Sequence, residues 1–453
     1  MNTYVLVGVP GIFAVIAVWA WSKTIHPKKK NGLATEQVTG ILRPINVIFD
    51  MIRGTTGVAI VKIKNEEFVN TATEIAKQTD SELFGPQDEY IKAVKLFVEA
   101  PDQRLMSASG ILLFNGLVRR LLDTRRFAVN YIQEHRDVII GSRLEKPIII
   151  TGLPRTGSTM LYNLLNCDPV SRAPRFFEMS QMANPTPPVT SREARNNDPR
   201  IKAVEARFEE TERLYPRMWT EAAASHYSNP NAIEEDLLVI FHSFIMQLHV
   251  PLSGGEYRKW YEDENNKQFA YIYHRLFFQM LNQAWTPDSH WVLKAPLHCT
   301  YMDSLMEQYP DARIVITHRD PATVVPSWSA LLESYINWSY LPYACDRPTF
   351  GRYIADSLVL CANRLLEWRK KSNPKQVFDV VYTDMIKDPV AMVESIYAHF
   401  DLPVTDEFRE NMREWIATNR QGKYGRRKYS LEDYNLTKEQ MHKEFKDYMD
   451  TYF

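Results

Sequence analysis

A chain of 453 residues with 45% apolar and 24% charged side chains has the composition of a globular protein of one large domain or two closely joined ones. Its formal net charge of −1 excludes the strong basic bias of a general nucleic-acid binder. The 26 prolines and 17 glycines are scattered, with no solenoid-type repeat, and the four cysteines (Cys167, Cys299, Cys345, Cys361) follow no metal-ligand or disulfide spacing, so they read as reduced thiols.

Tyr4 to Trp21 is almost wholly apolar. Eighteen residues at helical rise span about 27 Å, enough for a bilayer core. Lys23, Lys28, Lys29 and Lys30 follow the run and no basic residue precedes it, the reverse of a cleaved signal peptide. The expectation is a single-pass anchor over residues 1–30, with the basic flank and the rest of the chain on the cytoplasmic side. Trp19 and Trp21 suit an interfacial belt. A lumenal orientation is the alternative, and only there would the sequons at Asn337 and Asn435 matter.

Residues 31–145 carry apolar side chains at helical spacing and form an expected helical region, broken at Pro101. At Lys146 the pattern changes. The short apolar runs at 147–151, 291–294, 313–317 and 377–383 read as strands, and helical patterns lie between them. Residues 146–453 are therefore expected to form an α/β domain, a parallel sheet flanked by helices. Ligands of such sheets bind at the carboxyl ends of the strands.

After the first run comes Gly152-Leu-Pro-Arg155-Thr156-Gly157-Ser158-Thr159. Against the phosphate-loop pattern G-x-x-x-x-G-K-[ST], both glycines and Thr159 are in register, and Ser158 stands where the lysine belongs. Backbone N–H groups and the following helix start can still cradle an anion, and Arg155 supplies a charge with two parallel donors. A plain turn between strand and helix is the bland alternative. A kinase or NTPase would want the missing lysine.

This segment resembles the 5′-phosphosulfate loop of the sulfotransferases that use 3′-phosphoadenosine 5′-phosphosulfate (PAPS), in the branch with arginine in the loop, as in tyrosylprotein and bacterial-type enzymes. The resemblance implies a P-loop-like sheet and PAPS as co-substrate. It also implies that Arg155 and the backbone of Thr156, Gly157, Ser158 and Thr159 hold the phosphosulfate. Further matches follow in the right order. His318-Arg319-Asp320-Pro321 ends the third run, and Ser327 lies eight residues past Arg319, as in the family's 3′-phosphate site. Tyr382 matches a tyrosine near the adenine, and Lys423, Gly425 and Arg426 match a late loop that closes over the 3′-phosphate. Read without the resemblance, Arg319 and Asp320 could be an ion pair at a helix start, Tyr382 a core aromatic, and the late basic turn a solvated one.

Sulfuryl transfer depends on positioning and charge stabilisation, and the acceptor needs a base for its proton. Glu178 lies at the spacing where the arginine-loop branch keeps its catalytic glutamate. His298, in Lys294-Ala-Pro-Leu-His298, is the second candidate, displaced by two residues from the Lys-x-His pair of the cytosolic branch. Lys294 could stabilise charge on the sulfate or the bridging oxygen. A surface carboxylate, a structural histidine and an ion-paired lysine are the plain alternatives. The aromatic-rich stretch before Lys294 and the apolar amino terminus point to a small lipophilic acceptor (lipid, steroid, terpenoid or phenol), with sugar and peptide acceptors still open. No residue pattern calls for a metal or for nucleic acid, and the oligomeric state is left open. The other function classes are a nucleotide kinase or NTPase and an inactive membrane scaffold.

Overall fold

Periodic apolar side chains set the first elements. The computed structural model describes residues 42–56, 60–180, 191, 194–215, 219–220, 229–247, 255–341, 344–419 and 429–453. It opens with helices α1 (Leu42–Thr56), α2 (Asn65–Gln78), α3 (Asp88–Glu99) and α4 (Ala108–Glu134). In α3, Tyr90, Ala93, Val94, Phe97 and Val98 are buried, the three-and-four spacing of one helical face. Pro101 lies in the break between α3 and α4, as expected. The Ser107 hydroxyl then accepts from the Gly110 N–H at 2.9 Å and starts α4.

The four expected strand runs form strands β1 (Ile148–Gly152), β3 (His290–Lys294), β4 (Arg313–His318) and β5 (Val377–Val381). A two-residue strand, β2 (Ser171–Arg172), adds the fifth member. The order is β2-β3-β1-β4-β5 and every pairing is parallel. Ile149 lies level with Leu293 of β3 and Ile314 of β4.

Alternation sends successive strand residues to opposite faces. Ile148, Ile150, Val292, Val315 and Val380 meet helix α5 (Ser158–Leu165) on one face, through Leu161 and Leu165. Ile149, Leu293, Ile314 and Ile316 share the other core with Phe68, Phe97 and Val118 of α2, α3 and α4. That core also takes Leu276 and Phe277 of helix α6 (Gln268–Asn282) and Ile354 and Leu358 of α8 (Arg347–Lys371). Helix α7 (Pro321–Ile336) follows β4 and helix α9 (Pro389–His399) follows β5.

With β1 central, the carboxyl ends of β3, β1 and β4 lie side by side, and their loops must meet there. The apolar run Tyr4–Trp21 and the basic residues Lys423, Gly425 and Arg426 lie outside the described residues. Among the described residues, no helix is long and apolar enough to cross a membrane. Asn337 is 8% exposed, so its sequon offers no surface for a glycan.

Candidate active site

The loop after β1 is shaped by left-handed backbone. Gly152 has φ 129°, Arg155 φ 64° and Gly157 φ 88°. A side chain on Gly152 would strike the Thr317 carbonyl oxygen, so only glycine lets the end of β1 lie this close to β4. Arg155 adopts a conformation that favours glycine, a strain that functional loops tolerate. Backbone of alternating hand turns successive N–H groups to one side, the arrangement that binds anions. Gly157 then caps α5 without any side-chain hydrogen bond, leaving the helix amino end to an anion. The Thr156 hydroxyl fixes the loop, donating to the Leu153 carbonyl at 2.7 Å and meeting the Thr317 hydroxyl at 2.6 Å.

The other donor-site motifs gather at this loop. Arg155 Nε donates to the Ser327 hydroxyl at 3.1 Å. Arg319, one residue past β4, donates from Nη1 to the Arg155 carbonyl at 3.0 Å. Its guanidinium lies 4.1 Å from the centre of the Tyr382 ring, a cation–π contact. Tyr382 follows β5 directly, and its Cδ2 lies 2.6 Å from where a Gly157 side chain would begin. Arg155, Gly157, Arg319, Ser327 and Tyr382 thus form one contiguous group. Asp320 does not pair with Arg319. It caps α7 through the Ala322 N–H at 2.8 Å and meets His442 Nε2 at 3.0 Å.

Lys294 ends β3 on the other side of the loop. Its ammonium lies 3.4 Å from the Thr159 hydroxyl and pairs with the Glu235 carboxylate. The lysine side chain is 2% exposed and the Glu235 side chain 19%. A lysine this buried needs a counter-charge, and Glu235 supplies it while still reaching solvent.

The two expected bases, Glu178 and His298, are both buried and engaged by other side chains. Glu178 is buried and paired with Arg172 at 2.9 Å and with Arg195, and it accepts the Arg175 N–H at 2.8 Å. Burial alone would raise its pKa. The two guanidiniums outweigh that and hold it down at about 2. A carboxylate so engaged is a poor proton acceptor. His298 is also wholly buried, with Nε2 3.0 Å from Asp236 Oδ1 and Nδ1 2.9 Å from the Tyr271 hydroxyl. Both ring nitrogens are occupied, so neither is left for an acceptor hydroxyl.

The sulfotransferase family profile matches residues 147–406, more than half of the chain. The chain belongs to the sulfotransferase family. It is similar to the omega-hydroxy-beta-dihydromenaquinone-9 sulfotransferase Stf3 of Mycobacterium bovis and of Mycobacterium tuberculosis, 26% identical over 173 residues in each case. Those matches cover 37% of this chain and 42% of each relative, so the chain spans well under half of their length. Its fold is similar to that of sulfotransferase STF9 from Mycobacterium avium (TM-score 0.72, 24% identity, 87% of this chain and 98% of that one). Sulfotransferase STF1 from Mycobacterium tuberculosis is similar too (TM-score 0.66, 26% identity, 85% and 98%). The chain is an enzyme of this family, and the kinase alternative is not favoured.

The sequence reading named no partner for Lys294, and the structure supplies Glu235. It sits in Glu234-Glu235-Asp236, just before the apolar run Leu237–Phe241. Three acids before a helix read as a solvated cap. The signal was the need of Lys294 for a partner: a lysine closing an apolar strand has to meet a carboxylate from another segment.

Proposed function

We propose that this enzyme transfers the sulfuryl group of PAPS to a hydroxyl of a lipophilic acceptor. The assembly of Arg155, Arg319, Ser327 and Tyr382 around a left-handed glycine loop carries this reading. The loop backbone from Thr156 to Thr159, with Arg155, holds the 5′-phosphosulfate. Arg319 and Ser327 hold the 3′-phosphate, and Tyr382 lies beside the adenine. Lys423, Gly425 and Arg426, on the resemblance of their sequence to the family's late loop, supply further contacts to the 3′-phosphate. Residues 146–453 are the catalytic unit, and the helices before them buttress the sheet through the shared core.

Glu235 takes the proton of the acceptor hydroxyl. The oxygen attacks sulfur in line, the bond from sulfur to the bridging oxygen breaks, and its electron pair leaves on the 5′-phosphate. Lys294 neutralises that developing charge, with the α5 amino end behind it. The Lys294–Glu235 pair opens as the donor draws the ammonium toward the bridging oxygen and frees the carboxylate for the acceptor. The lipophilic acceptor draws support from Stf3, whose name gives it a hydroxylated dihydromenaquinone, and from the apolar run Tyr4–Trp21, read as a membrane anchor with the catalytic unit on the cytoplasmic side.

The test is titration with 3′-phosphoadenosine 5′-phosphate beside magnesium-ATP, for the parent and Arg319→Ala. A lost hydrogen bond to a charged group costs about 1.5–3 kcal/mol, or roughly ten- to hundredfold in affinity. The expected result is tight bisphosphate binding that falls by that factor in the variant, with ATP ignored. A preference for magnesium-ATP would overturn the donor assignment.

A further inference from the structure

A second cluster lies beneath the β3 turn. Asp236, His274 and His298 come from three separate segments: the residue before the Leu237–Phe241 turn, helix α6, and the turn after β3. All three side chains have 0% exposure. One ligand atom from each lies within 4.8 Å of the others.

The carboxylate stands between the two imidazoles. His298 Nε2 is 3.0 Å from Asp236 Oδ1, and His274 Nε2 is 3.9 Å from Asp236 Oδ2. The outer nitrogens are held by tyrosines: His298 Nδ1 is 2.9 Å from the Tyr271 hydroxyl, and His274 Nδ1 is 2.8 Å from the Tyr309 hydroxyl. An imidazole held through Nδ1 presents Nε2 to a ligand, and this outer support is what metal-binding histidines carry. Asp236 Oδ2 and His274 Nε2 are buried and have no hydrogen-bond partner. Their 3.9 Å separation is too long for a hydrogen bond. Two metal–ligand bonds of about 2.0–2.2 Å each can span it. Among the described residues, no lysine or arginine forms an ion pair with Asp236.

We propose that Asp236, His274 and His298 form a closed binding site for one divalent first-row transition-metal ion, best matched by zinc. Two imidazoles and a carboxylate suit zinc, whereas magnesium and calcium prefer oxygen ligands throughout. A carboxylate that binds through both oxygens brings the donor atoms to four. With no solvent-facing position, the ion is structural rather than catalytic. It ties together the segment bearing Glu235, helix α6 and the turn behind Lys294, and so sets the spacing of the Glu235–Lys294 pair. This inference does not depend on which donor or acceptor the enzyme uses.

The test uses the full chain purified from zinc-supplemented culture. Metal content is measured by mass spectrometry, and a chelator-stripped sample is titrated with cobalt(II) and, separately, melted with and without zinc. The expected result is one zinc per chain, a tetrahedral cobalt absorption band and a higher Tm with zinc. His274→Gln should lose the zinc and the band. Tyr309→Phe, which keeps every ligand, should weaken cobalt binding by about 10–100-fold. Folded, zinc-free parent protein whose melt ignores zinc would overturn the proposal, as would zinc retained by His274→Gln. If His274→Gln does not fold, parent-like cobalt affinity in Tyr309→Phe overturns it instead. In any of these cases the cluster is a hydrogen-bonded core network.

Discussion

Replacing Glu178 with glutamine separates a structural carboxylate from a catalytic one. The Glu178 side chain is 1% exposed, and its partners Arg172 and Arg195 are 0% and 5% exposed. Arg172 also lies 4.3 Å from the ring centre of Trp291, so it cannot swing away to water. Glutamine keeps the shape and removes the charge, leaving two buried guanidiniums without a counter-ion. Breaking a buried pair from one side costs about 3–5 kcal/mol. The depressed pKa gives a second measure. A fall from 4.5 to about 2 corresponds to about 3 kcal/mol of folded-state stabilisation at 1.36 kcal/mol per pH unit. Because the folded pKa is the lower one, this stability is fully present above pH 4.5 and is lost as the pH falls toward 2.

The assay is urea unfolding of parent and Glu178→Gln at neutral pH and at steps down to about pH 3, with turnover measured per folded molecule. The variant should be less stable by about 3 kcal/mol or more at neutral pH. The gap should narrow as acid removes the contribution from the parent. Folded variant should turn over within a few-fold of the parent. Parent-like stability with turnover down by about a hundredfold or more would refute the argument and return Glu178 to the role of base.

Glu235→Gln should cut turnover per folded molecule by about 10²–10⁴-fold, and the melt should fall as well, because the substitution leaves the buried Lys294 ammonium without its counter-charge. Gly157→Ala forces a side chain to within 2.6 Å of the Tyr382 ring at φ 88°, and calorimetry should find bisphosphate affinity reduced by roughly ten- to hundredfold, for a strain of about 1–3 kcal/mol. Gly110→Ala pushes α4 off the Ser339 backbone, so thermal unfolding should reveal a loss of about 1–3 kcal/mol with little change in donor binding.

The parallel strands were legible because burial on both faces leaves short β-branched runs that resemble nothing else in the chain. β2 was not, since two residues carry no periodicity. It exists because Ser171 and Arg172 lie level with His290 and Trp291 of β3. The donor loop was legible because left-handed backbone demands glycine at fixed spacing, and Gly152 and Gly157 are those positions. The setting of Glu178 was not legible. Glu178 matches a family spacing, but whether a carboxylate accepts protons depends on what surrounds it, and Arg195 and Arg172 approach from elsewhere in the chain. The Asp236–His274–His298 cluster was hidden for the same reason, its members lying 38 and 24 residues apart in succession.

The charges around the sheet meet different kinds of partner. Arg155 donates to the Ser327 hydroxyl and Arg319 to the Arg155 carbonyl, contacts that orient the guanidiniums. Arg172 and Arg195 meet a carboxylate and are neutralised in the core. Lys294 stands between these cases, paired with a carboxylate that still reaches solvent. In a buried setting an exchange of partners costs less than leaving either charge alone. Under the proposed mechanism an incoming sulfate takes over the ammonium while an acceptor hydroxyl takes over Glu235, which would make the pair at the end of β3 the point where donor and acceptor binding are coupled.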